Sequence, residues 1–206
     1  SLHVDVSSDI PATPDDRTTW RGRTESDDVR STRSVGSRSP GVDLASTMSS
    51  ETPTWGTHTV DEAGNVGLHT SLALDAEDQP HVTYYDQSNG DLKYAWRTDH
   101  QWISETVDSA GTVGTYTSLV LDGSYRPHVS YCSEVYGPAG TVASVKYAHH
   151  DGTGWISETV GDAGTGGGYT SLALDDGDGP HISYYDGDLG ALRYARFDGT
   201  EWVFDT

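Results

Sequence analysis

From residue 55 onward, apolar and polar side chains alternate in short runs separated by clusters of Gly, Asp, Asn and Pro. In "TSLALD" (70–75), Leu72 and Leu74 fall on one face and Ser71 and Ala73 on the other. In "PHVTYYD" (80–86), Val82 and Tyr84 oppose His81, Thr83 and Tyr85. In "DLKYAW" (91–96), Leu92, Tyr94 and Trp96 oppose Lys93 and Ala95. A fourth run, "WISETV", occurs at 102–107 and again at 155–160, with "WGTHTV" at 55–60 as its earlier version. A period of two is that of a pleated strand, and no window shows a helical period.

These runs recur in one order. "HTSLALDAEDQPHVTYYD", "YTSLVLDGSYRPHVSYCS" and "YTSLALDDGDGPHISYYD" begin at His69, Tyr116 and Tyr169. Trp55, Trp102, Trp155 and Trp202 mark the period, separated by 47, 53 and 47 residues. The six extra residues of the middle unit fall in "CSEVYGPAGTVASVKYA", where a surface turn absorbs an insertion. The units run over about 55–101, 102–154 and 155–201, and a fourth begins at 202. Each contains four strands: "TSLALD" innermost, then the Pro-His strand, then the "LKYA" strand, and "WISETV" outermost. The Pro stands at a strand start, where its missing N–H is tolerated. The glycine-rich links "VDEAGNVGLHT", "VDSAGTVGTYT" and "VGDAGTGGGYT" read as long loops from an outermost strand to the next innermost one.

A four-stranded sheet that is partly apolar on both faces needs a neighbour on each side, and radial stacking supplies one while limiting exposed edges. The predicted fold is all-β: a partial β-propeller of about three four-stranded antiparallel blades over 51–206, behind a disordered N-terminal tail. The repeats resemble the β-propeller repeats of bacterial and archaeal proteins that carry "TSLALD…PHISYYD…LKYA…W". They also resemble NHL-type blades, in which two successive strands each end in Asp. They depart from the BNR, or sialidase-type, blade because the Asp box Ser-x-Asp-x-Gly-x-Thr-Trp is absent. The resemblance covers about 55–206 and implies the fold, which hosts hydrolases, lyases, lectins and scaffolds alike. The first unit opens on an outermost-type strand, 55–60, and three blades fall short of the usual four to eight. Further blades in a longer chain, or self-association to complete the ring, are therefore expected.

Composition separates the tail from the repeats. Residues 1–50 are rich in Ser, Thr, Asp and Arg without periodicity, and such a segment buries too little apolar surface to offset chain entropy. The net charge of −20 is concentrated in 51–206, where twenty-four acids face six bases; 1–50 carries eight acids against six arginines. That balance argues against nucleic-acid partners and suits a high-salt or extracellular setting, or simply solubility; an extracellular or cell-surface location is the expectation. No apolar run approaches the length of a membrane-spanning helix. Cys132 is the single cysteine, so there is neither an intrachain disulfide nor a cysteine metal cluster.

The candidate chemistry is repeated rather than unique. His81, His128 and His181 follow the same Pro in every unit, as repeated ligand-site residues or as structural histidines hydrogen-bonded at a blade interface. Tyr85 and Tyr185, with Asp86 and Asp186, offer aromatic faces and carboxylates to a hydroxyl-rich ligand, or else packing and a turn; Cys132 and Ser133 replace them in the middle unit. His69, Tyr116 and Tyr169 end the long links next to the axis. "DDGDG" (175–179) reads as a turn, Glu105 and Glu158 as a solvated face, and His149–His150 as a chance surface pair. No residue is assigned to catalysis or to metal, and no cofactor is implied. The leading expectation is a non-catalytic binding or interaction module for a glycan or protein ligand. A propeller lyase or glycosidase with an axial His/Tyr site, and a structural spacer, are the alternatives. A binding array should repeat its site, whereas a catalytic centre should draw on residues unique to one blade.

Overall fold

The computed structural model describes residues 56–99, 101–138 and 140–205. The tail at 1–50, with Trp20, and the tryptophan at 55 lie outside them. The described residues form twelve strands in three four-stranded antiparallel sheets, with no helix among them. The first sheet holds β1 (Val66–Leu74), β2 (Pro80–Asp86), β3 (Asp91–Thr98) and β4 (Gln101–Asp108). The second holds β5 (Thr112–Leu121), β6 (Pro127–Gly137), β7 (Gly140–His150) and β8 (Trp155–Thr165). The third holds β9 (Gly168–Leu174), β10 (Pro180–Asp186), β11 (Ala191–Phe197) and β12 (Trp202–Asp205). Each sheet is a meander in which sequence neighbours pair. The register repeats as well: Tyr84 faces Lys93, Tyr131 faces Lys146, and Tyr184 faces Arg193.

Two expectations change. The links do not remain loops. β4 runs to Asp108 and β5 starts at Thr112, while β8 runs to Thr165 and β9 starts at Gly168. Their backbone groups find ladder partners, Leu68 with Tyr85 and Thr115 with Cys132, so the glycine-rich stretch becomes bulged strand. Gly114 shows why glycine is needed there. Its φ is +103°, and an added Cβ would lie 2.7 Å from the Leu92 Cα in the preceding sheet. The second change is at 56–60, expected as an outermost strand, which is irregular. The outer edge of the third sheet is already taken by β12, and no other sheet has its third strand free to pair with this segment.

The core lies between sheets. Leu92 of the first sheet packs with Val113, Leu119, Val129, Tyr131 and Ala148 of the second, and Ala73, Val107 and Trp155 close the cluster. One repeat later, Val145 and Val160 pack with Leu172, Ile182, Tyr184 and Ala195, joined by Val120, Trp202 and Phe204. Burying a side chain of this size contributes about 1.5–3 kcal/mol, so each sheet is stabilised largely through its neighbour.

Hydroxyls from the repeated phrase stitch the same interfaces. Thr83 donates to the Thr117 hydroxyl (3.1 Å), and Thr117 donates to the carbonyl of His69 (2.7 Å). Ser130, Thr170 and the Tyr116 carbonyl repeat the relay at 2.8 and 2.7 Å. The Leu119 and Leu172 N–H groups donate to the Ser71 and Ser118 hydroxyls, each at 3.0 Å. The Thr-Ser pair of each repeat therefore bonds one sheet to the next. It satisfies polar backbone groups across the packing surface.

Candidate functional site

The repeated histidines sit in a repeated three-residue chain. His81 Nδ1 meets the Tyr94 hydroxyl and His128 Nδ1 meets Tyr147; His181 Nδ1 lies 2.5 Å from Tyr194. On the other ring edge, Nε2 approaches Asp75 at 3.5 Å, Asp122 at 3.6 Å and Asp175 at 3.3 Å. A neutral imidazole protonated at Nε2 satisfies both contacts. Burial pushes His128 below the ordinary histidine range, which favours that neutral form. The same aspartates hold the hairpin turns. Asp75 Oδ1 accepts from the N–H groups of Glu77 and Gln79, Asp122 Oδ1 from Ser124 and Arg126, and Asp175 Oδ1 from Gly177 and Gly179. "DDGDG" is accordingly a turn, with Asp178 in the left-handed region at φ 61°. Among the described residues no group of three or more His, Cys, Asp or Glu is arranged to hold a metal ion.

Asp86 and Asp186 also close turns. Asp86 accepts from the Ser88 and Asn89 N–H groups, and Asp186 from those of Asp188 and Leu189. Tyr85 is buried while Tyr185 is exposed, and each ring stands edge-on to the aromatic residue opening its own unit: His69 at 6.2 Å and Tyr169 at 6.5 Å.

His69, Tyr116 and Tyr169 form a continuous arc along β1, β5 and β9, the first strands of the three sheets. Ring centroids are 4.7 Å apart for His69–Tyr116 and 4.4 Å for Tyr116–Tyr169. All three backbones are left-handed, with φ of 52°, 52° and 58°. That conformation costs a non-glycine residue on the order of 1–3 kcal/mol. Here it lies at the bulge where the ladder slips, and the bulge turns the His69 and Tyr116 carbonyls to the threonine hydroxyls of the next sheet. A shallow concavity of about 310 Å³ lies over the arc, lined by these three residues and Thr70, Thr117 and Thr170.

A more differentiated site lies between the first and second sheets. A cleft of about 230 Å³ is lined by His81, Tyr94, Trp96, Glu105, Pro127 and His150. It adjoins a wider depression of about 480 Å³ that shares His81 and Trp96 and adds Asp75, Gln79 and Arg97. Trp96 stacks on Tyr94 (5.3 Å, 21°), and Trp155 meets Tyr94 edge-on at 5.3 Å. The Trp155 Nε1–H donates to Glu105 Oε1 at 2.7 Å, and His150 stands edge-on to Trp155 at 5.6 Å. Cleft and depression together combine aromatic walls, carboxylates, imidazoles and a guanidinium.

Two sequence readings are corrected here. Glu105 is a half-buried acceptor rather than part of a solvated face, although Glu158 is exposed. The His149–His150 pair is not a chance surface pair, because His149 stacks on His128 and Tyr147 while His150 meets Trp155. Of the candidate ligand-binding residues read from sequence, only His81 lines this cleft, beside Glu105 and His150, to which the sequence assigned no ligand role. The others fall on the inner arc, in turns or in the equivalent Asp–His–Tyr chains. Trp96 reads in the sequence as an apolar strand residue, but that it shares a cleft with Glu105, Pro127 and His150 depends on how strands and sheets meet and has no sequence signal.

The next interface repeats the frame with altered polar groups. Tyr147 meets Trp202 edge-on at 5.5 Å, and His149 holds the place of Trp96. Trp202 Nε1 and His149 Nδ1 are buried without a hydrogen-bond partner among the described residues.

No family model matches the chain, and no curated protein sequence matches it. Among solved structures, a fucose lectin from Kordia zhangzhouensis in complex with methyl-fucoside is similar over 66% of this chain and 97% of its own length. The identity is 23% and the TM-score 0.43.

Proposed function

We propose that this chain is a non-catalytic, glycan-binding β-propeller module whose site is the cleft between its first two sheets. The observation that carries this reading is the cleft between the first two sheets. Trp96, stacked on the buried Tyr94, offers apolar ring surface for the C–H faces of a sugar, while His150, Arg97 and the second carboxylate oxygen of Glu105 supply hydroxyl-binding groups around it. The aromatic frame recurs at the second interface, but His149 replaces Trp96 there, so the sugar-stacking surface belongs to the first cleft. The repeated imidazoles and carboxylates are occupied by each other, by tyrosine hydroxyls and by turn N–H groups, which supports a non-catalytic role. Successive face-to-face packing, with each inner strand bonded to the next, supports the propeller reading. The strongly acidic repeats support work outside the cell on a carbohydrate surface.

The test is a glycan-array screen of the chain beside its Trp96→Ala variant. Binding of a defined glycan by the parent, lost in the variant with the sheet spectrum unchanged, is the expected result. No binding to any glycan, or equal binding by both proteins, overturns the cleft assignment.

A further inference from the structure

The two internal interfaces are built from the same pair of faces. The face of the second sheet that meets the first carries Leu119, 5% exposed, and the corresponding Leu172 of the third sheet is 6% exposed. The residue at that position of the first sheet, Leu72, is 62% exposed. The opposing face behaves in mirror fashion. Leu92 of the first sheet and Val145 of the second are wholly buried against the following sheet, whereas Leu192 of the third sheet is 80% exposed. Each end of the array therefore leaves open one half of an interface that the molecule forms twice internally.

The shape of the open half on the first sheet matches what fills its counterpart. Where Gly114 has the Leu92 backbone pressed against it at 2.7 Å, the corresponding Gly67 has nothing within 4 Å of an added Cβ. Gly67 keeps the same left-handed backbone, with φ +93°. It lines a mainly apolar hollow of about 140 Å³ with Val60, Val66, Thr70, Val82, Tyr84 and Asp61, whose carboxylate accepts from the Tyr84 hydroxyl as Asp108 does from Tyr131. Leu192 stands where Leu92 stands in the first sheet, opposite the second tyrosine of the Tyr-Tyr or Tyr-Cys pair.

We propose that two copies of this chain associate head to tail, the Leu192 face of each third sheet seating on the Leu72–Gly67 face of the partner's first sheet. The contact is heterologous and is made twice, so the pair closes on itself. Two copies supply six sheets, within the range in which such rings close, whereas three would supply nine. That count rests on the propeller reading; glycan recognition does not enter it. Both copies carry a net charge of −20, so added salt should tighten the pair by screening their repulsion.

The experiment is native mass spectrometry with light scattering on the 206-residue chain, on Leu72→Asp and Leu192→Asp, and on an equal mixture of the two variants. Both leucines are exposed in the single chain, so the variants should fold, and circular dichroism checks that they do. The parent is expected at twice 22.1 kDa. Each variant alone should fall to one chain, and the mixture should recover a pair containing one of each, because it restores one intact contact. A monomeric parent, a variant that stays paired, or a mixture that stays monomeric overturns the proposal. Masses above two copies that grow with concentration overturn closure. A negative glycan screen leaves all these masses unaffected, so the two proposals fail separately.

Discussion

The two internal interfaces share an apolar frame and differ in their buried polar groups. At the first, Asp108 accepts from the Tyr131 hydroxyl at 2.7 Å and is paired with the Lys146 ammonium, which also lies 5.6 Å over the Tyr131 ring. Burial alone would raise Asp108, but Lys146, Tyr131 and the Ala110 N–H together hold its carboxyl below the ordinary range. Burial, reinforced by that carboxylate, pushes Tyr131 far up. At the second interface, Gly161 faces Phe204, whose ring would lie 3.1 Å from an added Cβ. Among the described residues Tyr184 has no carboxylate hydrogen-bond partner there, and Arg193 turns to Asp186 at 3.4 Å. One interface is locked by a buried charge cluster, while the other fills the same space with an aromatic ring. Apolar repetition suffices to stack the sheets, and polar positions are then free to diverge, in the clefts as well as in the core.

The contrast breaks most visibly at the cations. Lys146→Met should cost about 3–5 kcal/mol by urea denaturation, because it strands the Asp108 carboxylate in the interface. Arg193→Met should cost about 1 kcal/mol or less, since its pair is longer and partly exposed. Equal losses would remove the distinction. The shared frame predicts the opposite pattern for leucines: Leu92→Ala and Leu172→Ala should each cost about 2–5 kcal/mol, with similar values at the two interfaces. The hydroxyl relays should also match. Thr117→Val and Thr170→Val are expected to lose about 1–3 kcal/mol each, by leaving the His69 or Tyr116 carbonyl without its donor.

The smallest expected effect is on pH dependence. Burial depresses His128, so its neutral form contributes stability that is fully present above the ordinary histidine pKa and is lost as pH falls through the folded value. Asp108 and Asp122 are held low as well, Asp122 by the Arg126 and Ser124 N–H groups and the Arg126 side chain acting against burial. Their contribution disappears only at more acid pH, below the ordinary carboxylate range. Thermal melts from pH 7 to 5 should fall less steeply for His128→Gln than for the parent, and parallel slopes would refute the assignment.

Much of this architecture was legible in the sequence because alternation is a local property. The segments "PHVTYYD" and "PHISYYD" coincide with β2 and β10 from end to end. The links were misread because glycine clusters usually mark turns, whereas here glycine permits bulged strands to approach a neighbour, as Gly114 approaches Leu92. The cleft was the least legible part. Glu105 and Trp155 are fifty residues apart and meet only once two sheets have stacked. Repetition drew attention to the histidines, but repetition within one chain marks what every sheet needs. The residues that distinguish the first cleft, Trp96 above all, are those that vary between repeats.

The cleft assignment is tested most directly by the Trp96 indole N–H resonance of ¹⁵N-labelled protein, assigned by its loss in Trp96→Ala and followed through titration with glycans from the array screen. Saturable shifts of that resonance, and of the Trp155 indole bonded to Glu105, are the expected result. Glycan binding that leaves both indoles unmoved would contradict the account.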